Sequence, residues 1–298
     1  MNSRSLFYFL VPSFIWGSTW YVIKFQIGST DPMFSVAFRF LIAGLLILVY
    51  SIVTKKSLRF SAKSHLFIAL QGICLFGLNY WFVYMAEEHL TSALVAVVFS
   101  TLVFMNIILN RIILKGPING NVVFASLLGF SGVVLLFRNE LAITFNEHTI
   151  PAIIFCLASV TLASTGNILS ALNQRNKIPL IQNNALGMIY GAVTMTIIAF
   201  TSGKQLVFDS SPEYFMSLLY LALFGSLIAF SVYLKMLGEI GPDKAGYVIL
   251  VVPLVALTIS TIFESYQWNL FSVTGTILLV VGNFITLKNS QKLKEATA

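Results

Sequence analysis

The sequence predicts an all-α integral membrane protein whose ten transmembrane helices form two inverted five-helix repeats. Three observations predict it: charge is scarce, ten apolar stretches have spanning length, and the two halves resemble each other. Of 298 residues, 57% are hydrophobic and 14% aromatic, while 10% are charged, against about 25% charged in an ordinary soluble domain. A water-soluble globule, a disordered chain and a collagen-like repeat are excluded, because each needs more polarity or a short glycine period.

Nine uncharged runs lie between the Asp, Glu, Lys and Arg residues: 5–23, 64–86, 89–110, 116–137, 148–174, 178–203, 214–234, 245–263 and 265–287. A further stretch, 33–54, is equally apolar apart from Arg39. A helix crosses ~30 Å of hydrocarbon with about 20 residues, so each of the ten stretches is long enough to span. Numbered in chain order they are spans 1 to 10, and the loops between them are too short for a separate soluble domain. Span 1 exceeds the ~7–15 apolar residues of a secretory leader. It also carries Trp16 and Trp20 and lacks a small-residue cleavage site, so it reads as a retained helix.

Pro32, Pro151, Pro212 and Pro242 stand at or just before helix starts, where a missing N–H costs little. Pro12 and Pro253 fall inside spans 1 and 9, where each removes a backbone hydrogen bond and predicts a kink. Cys74 and Cys156 sit mid-span without metal or redox spacing and read as inert buried thiols.

Short loops make the positive-inside rule applicable. With a cytoplasmic N-terminus, Arg4, Lys55, Lys56, Arg59, Lys63, Arg111, Lys115, Arg175, Lys177, Lys235, Lys244, Lys288, Lys292 and Lys294 all lie inside. Only Lys24, Arg138 and Lys204 lie outside. Both termini are therefore expected in the cytoplasm. The net charge of +7 is read as attraction to anionic lipid of the inner leaflet, not to nucleic acid.

Residues 76–84 resemble residues 224–233, from Phe76-Gly77 to Tyr84 and from Phe224-Gly225 to Tyr233. A short turn, an apolar span and a glycine-spaced span follow in each half, with Gly132 matching Gly282. The division expected is a repeat over 1–142 and a second over 143–298. Five crossings are odd in number, so the second copy enters the membrane from the opposite face.

Polar residues within the spans are the candidate site. Ser13, Trp16, Trp20 and Lys24 share one face of span 1. That face suits a cavity better than lipid, although Trp20 and Lys24 also fit an interfacial belt and a snorkelling cation. Span 3 presents Asn79, Tyr80 and Tyr84, with Glu87 and Glu88 beyond; span 6 offers Ser164, Asn167 and Ser170; span 4 has Asn106 and Asn110; span 9 has Tyr247. Aromatic rings beside a few amides describe a pocket for a small amphipathic molecule. Helix-to-helix hydrogen bonding is the competing use of the same groups.

Arg39 is the one charge well inside a span and needs a partner there, either a substrate carboxylate or neighbouring helix groups. No Asp or Glu falls mid-membrane, so proton coupling through a buried carboxylate has no evident carrier. Glu87, Glu88 and Glu264 are expected as acids of the rim, gating or pairing with Lys24 and Arg39.

Phe14-Ile15-Trp16-Gly17-Ser18-Thr19-Trp20 with Lys24, and Arg39 followed by Phe40-Leu41-Ile42-Ala43-Gly44, resemble the EamA family of the drug/metabolite transporter superfamily. Tyr233 through Ile240-Gly241-Pro242 and Ala245, then Pro253 and Glu264, resemble the second-half signature of that family. The resemblance runs essentially the length of the chain. It departs at Thr101, where the family usually has a proline, and at Arg111, which lacks an acidic neighbour to match Glu264.

What the resemblance implies is a ten-helix secondary transporter of the inner membrane, most often an exporter of small organic metabolites. Its central cavity would be lined by spans 1, 3, 4, 6, 8 and 9, with spans 5 and 10 peripheral. Amino acids or related compounds are the expected substrate class, with efflux of drug-like cations the alternative. The expected partners are substrate and lipid, a homodimer is compatible, and no cofactor, metal or nucleic acid is expected.

Enzyme readings are weaker. Gly129-Phe130-Ser131-Gly132 resembles an intramembrane serine protease motif, but His65, His89 and His148 all fall at span ends, leaving Ser131 without a base. Zincin and P-loop patterns are missing from the sequence.

Overall fold

The computed structural model describes residues 3–115, 120–144, 147–233 and 248–297, and every regular element among them is helical. α1 covers Ser3–Ile23 and α2 Pro32–Val53. The next stretch is a composite, α3 Ala62–Gly72 and α4 Asn79–Glu87, joined by a π-helical segment Ile73–Leu78. α5 Ser92–Phe99 and α6 Leu102–Leu114 follow, then α7 Gly120–Thr144, α8 Thr149–Arg175 and α9 Leu180–Thr201. α10 Pro212–Leu219 runs into a second π-helical segment, Tyr220–Ile228. α11 Val248–Phe263 and α12 Leu270–Thr297 complete the described chain.

Among the described residues, six stretches are long and apolar enough to cross a membrane: Pro32–Val53, Ala62–Glu87, Ser92–Ile113, Thr149–Arg175, Leu180–Thr201 and Pro212–Tyr233. Three shorter apolar helices, Val123–Leu136, Val251–Phe263 and Leu270–Ile285, accompany them. Large apolar side chains face outward on these helices, among them Val53, Phe124, Ile197, Met216 and Leu270. In water such a surface would aggregate; against lipid tails it has no cost, and the helices satisfy their own backbone groups.

Local chemistry sets the helix starts. The Asp31 carboxylate accepts from the Met33 N–H at 3.0 Å ahead of Pro32, and Ser211 accepts from the Tyr214 N–H at 3.3 Å ahead of Pro212. Ser61 caps α3 through the Ser64 N–H at 3.2 Å. The loops at this Asp31 end are stitched by the Lys204–Asp31 ion pair at 3.0 Å and by the Asp209 N–H donating to Thr30 Oγ1 at 2.9 Å.

Small residues set how closely helices pack. A Cβ placed on Gly72 would lie 2.1 Å from the Gly187 carbonyl oxygen, so α3 and α9 touch backbone to backbone. α7 and α12 are similarly close: a Cβ on Gly132 would fall 2.5 Å from the Gly275 oxygen, and one on Gly282 would fall 2.7 Å from the Ala125 oxygen. Both helices carry their exposed apolar rows on the outside of this pair.

Among the described residues, three departures from uniform spans shape the site. Span 4 is two helices, because Ser100 and Thr101 turn their hydroxyls back onto the Val97 and Val98 carbonyls, at 2.6 Å each, and the ladder breaks there. The break falls on Thr101, where the resembled family carries proline. The other two are the π-helical segments. They contain Phe76-Gly77 and Phe224-Gly225, the pairs that open the two similar stretches of sequence. Pro12 and Pro253 lie inside α1 and α11, and both helices continue through them.

Candidate functional site: an aromatic cavity beneath a polar latch

α1 is central to the site. Its face of Trp16, Thr19, Trp20 and Ile23 forms one wall of a cavity of about 190 Å³. Leu75, Asn79 and Tyr80 contribute from the first π-helical segment and α4; Ala96, Phe99, Ser100 and Leu102 come from the α5–α6 break. Ala163 and Asn167 of α8, Phe230 and Tyr233 beyond the second π-helical segment, and Val252 and Pro253 of α11 close the ring. Pro253 thus stands on a cavity wall, where a carbonyl freed by the missing N–H is tolerated.

The two tryptophans lean on different partners. Trp16 packs against Phe230 and Tyr233, with ring centroids 5.1 and 5.2 Å away, and its indole N–H donates to the Gly225 carbonyl at 3.1 Å. A π-helical turn leaves carbonyls out of the regular ladder, and Gly225 O is used in this way. Trp20 packs against Phe99 at 5.1 Å. Its indole nitrogen is buried and has no hydrogen-bond partner among the described residues.

Arg39 is buried behind this wall. Its Nε donates to Ser226 Oγ at 3.1 Å, and its guanidinium carbon lies 4.4 Å from the Tyr80 ring centre and 5.1 Å from that of Phe40. Ser226 in turn donates to Leu221 O at 3.0 Å, within the second π-helical segment. Gly225 permits the approach: a Cβ there would sit 2.8 Å from Thr19 Cγ2 and 3.3 Å from Arg39 Nη2. The cation therefore positions Tyr80 from behind and does not line the cavity.

Of the residues expected to bind substrate, Trp16, Trp20, Asn79, Tyr80 and Asn167 come together on the wall. Tyr84 and Ser164 are fully buried and do not line it. Tyr84 is one helical turn past Tyr80, beyond the cavity and beside Arg39. Ser164 turns away while its neighbour Ala163 lines the wall. Tyr247 lies outside the described residues. The amides are partly engaged: Asn79 donates to Leu75 O at 3.1 Å and accepts from Ser159 at 2.6 Å, and Asn167 donates to Asn106 Oδ1 at 3.3 Å. Thr19, Phe99, Ser100, Phe230 and Tyr233 were not singled out from the sequence. Phe230 and Tyr233 belong to the second similar stretch, and pairing them with Tyr80 and Tyr84 was the available signal.

Above the Trp20 end of the cavity lies a polar latch. Lys24 donates to the carbonyls of Glu87 and Leu90, the latter at 2.6 Å. Ser92 Oγ lies 3.1 Å from both Trp20 O and Glu264 Oε1, which share its single O–H, and the Ser92 N–H reaches the same Glu264 oxygen at 3.4 Å. Ser260 donates to Glu264 and accepts from the Ala93 N–H at 3.0 Å. Glu264 thus ties the end of α11 to the start of α5. Glu88 is exposed. Glu87 is not a rim acid: it is fully buried at the end of α4, because that last turn packs under the Lys24 side chain and against α8.

The enzyme motif finds no support in this geometry. Ser131 is exposed on α7 and donates to Leu127 O at 2.9 Å, while His65 pairs with the Tyr190 hydroxyl at 2.7 Å and His89 stacks on His148. No cluster of metal-ligating side chains occurs among the described residues.

The model of the EamA-like transporter family matches residues 3–138 and again residues 150–288. The uncharacterized inner membrane transporter YedA of Escherichia coli K12 is 26% identical over 281 residues, 91% of this chain and 89% of its own. Protein PagO of Salmonella typhimurium is 22% identical over 94% of this chain and 91% of its own. The uncharacterized transporter YyaM of Bacillus subtilis is 25% identical over 89% of this chain and 88% of its own. A protein crystal structure with 15% identity shares the fold, with a TM-score of 0.70 over 98% of this chain and 99% of its own.

Proposed function

The chain belongs to the EamA-like transporter family, and from that premise we propose a secondary transporter, not an enzyme, that exports amino acids or related amphipathic metabolites across the inner membrane. In this reading ten spans form two inverted five-helix repeats, 1–142 and 143–298, with both termini in the cytoplasm and the Lys24 end facing outward. The repeats rock about the cavity in alternating access.

The observation that carries the substrate class is the cavity itself. At about 190 Å³ it is smaller than the ~300–1,000 Å³ typical of sites for drug-sized ligands. No acidic side chain lines it among the described residues, so a lipophilic cation finds no counter-charge on that described wall. Aromatic walls and a buried indole N–H without a partner suit a small solute with an apolar side chain and a hydrogen-bond acceptor such as a carboxylate. Trp16, Trp20, Asn79, Tyr80 and Asn167 form its binding face, with Tyr84 and Ser164 supporting it. Lys24, Glu87, Glu88 and Glu264 belong to the gate at the outer end.

Thermal-shift measurements on purified protein against a metabolite panel test this, because a ligand that binds only the folded state raises apparent stability. Amino acids are expected to raise it, and saturable amino-acid flux in proteoliposomes is expected to follow. Stabilisation by lipophilic cations alone, with no amino-acid flux, would reverse the substrate assignment.

A further inference from the structure

The transport reading above places Glu87 at the gate but leaves its burial unexplained. It ends α4, its side chain is fully buried, and neither carboxylate oxygen has a hydrogen-bond partner among the described residues. A carboxylate sealed from water without donors is far less stable ionised than protonated. The same burial encloses the charges within reach. Lys24 approaches from the end of α1, Arg39 from α2 and Glu264 from the end of α11, with Tyr84 on the same helix and Cys156 on α8.

Lys24 is the cation above it, and its ammonium donates to the Glu87 and Leu90 main-chain carbonyls. Those bonds join the end of α1 to the turn between α4 and α5, beside the Ser92–Glu264 contacts. The ammonium can hold those carbonyls, or it can turn to an ionised Glu87 carboxylate. Doing the second loosens the first.

We propose that Glu87 is a proton-binding site of this carrier and that competition for Lys24 couples its protonation to the outer latch. The proposal rests on the transport reading, with the Lys24 end outward. With the latch closed, Glu87 holds its proton and Lys24 holds the carbonyls. When the latch parts and water enters, the carboxyl O–H bond breaks, the proton passes to water, and the electron pair stays on the carboxylate. Lys24 then leaves the carbonyls for that charge and keeps the latch apart. A proton taken up from the outside restores the carboxyl, returns Lys24 to the carbonyls and closes the outer end, so the latch responds to the acidity of the outer face.

Two arms test this on the full-length protein. Infrared difference spectra of purified wild type are expected to show a protonated-carboxyl C=O band at neutral pH, lost in Glu87→Gln. In proteoliposomes given a radiolabelled mixture of the protein amino acids, an imposed pH gradient is expected to change wild-type transport several-fold. That ratio falls to one in Glu87→Gln, while Glu213→Gln, at an exposed position on α10, keeps the wild-type ratio. Should Glu87→Gln not fold, Lys24→Met serves instead: with no ammonium to receive the carboxylate, the band persists to more alkaline pH and the gradient response shrinks. A band indifferent to Glu87→Gln, an undiminished gradient ratio, or wild-type titration in Lys24→Met would overturn the proposal. If wild type moves none of the amino acids, the substrate reading fails, and the infrared arm still judges Glu87.

Discussion

Two buried polar regions at different places in the molecule treat their hydrogen bonds in opposite ways. Between α3, α8 and α9, Gln71 Oε1 accepts from Asn173 at 3.0 Å and from Asn183 at 2.7 Å, and Gln71 Nε2 donates to Asn184 at 3.2 Å. Asn173 also donates to Asn183 Oδ1 at 3.1 Å, so four neutral amides satisfy one another with one oxygen, Asn173 Oδ1, left over. Around α1, by contrast, Trp20 Nε1, Arg39 Nη1 and both Glu87 oxygens are buried without partners among the described residues. A satisfied network is glue between helices, whereas unmatched donors and acceptors around a cavity are costly unless a solute, a proton or water meets them in the working cycle.

Substitutions separate the two regions, and the largest effect is expected on the side of the glue. Gly72→Ala forces a Cβ into the Gly187 carbonyl beside Gln71, and overpacking of this kind should cost about 3 kcal/mol, read as a lowered Tm in detergent. Gln71→Leu leaves the Asn173 and Asn183 amides without their shared acceptor. About 2 kcal/mol of stability should be lost, with ligand-induced thermal shifts unchanged; a loss of ligand response would erase the distinction drawn here.

Trp20→Phe keeps the ring against Phe99 and removes the unmatched N–H. Affinity should fall about tenfold, equivalent to ~1.4 kcal/mol, with Tm unmoved, as measured by titration calorimetry. A drop in Tm with unchanged affinity would place Trp20 with the structural group.

The smallest effect concerns a third kind of polar group, paired and only half-buried. The Ser211 N–H, 2.8 Å from Asp209 Oδ1, holds the Asp209 carboxyl below its ordinary range. Because its value is depressed in the folded state, its contribution is present at neutral pH and is lost as pH falls through that lowered value. The protection of the Ser211 amide, with its exchange rate corrected for the intrinsic slowing of amide exchange in acid, should therefore fall on acidification in wild type and stay constant in Asp209→Asn.

The contrast also shows how far the residues alone could carry the argument. Spans were readable because any ionised side chain in hydrocarbon is costly, so gaps between charges mark helices wherever they lie in sequence. Trp16, Trp20 and Tyr80 were readable for a related reason: polar-edged aromatics in mid-span need a neighbour that is not lipid. Asn173, Asn183 and Gln71 look no different from cavity amides in sequence. Only the packing of α3, α8 and α9 turns them toward one another.

Glu87 shows the same limit with the opposite outcome. Its position one residue past an apolar run reads as a membrane rim, yet the last turn of α4 lies beneath the latch. The π-helical segments add a second reason. Each breaks the regular helical register, so spacing counted along the chain does not carry across Phe76-Gly77 or Phe224-Gly225.

Composition and charge spacing alone settle that this polypeptide is a helical membrane protein, because the bilayer penalises charge and unpaired backbone one segment at a time. Which buried polar groups find partners is decided by contacts between helices far apart in the chain, as with Trp16 and Gly225, Arg39 and Ser226, or Ser92 and Glu264. A hydrogen bond needs its two atoms within about 3 Å, and only the packed helices bring residues so far apart in sequence that close.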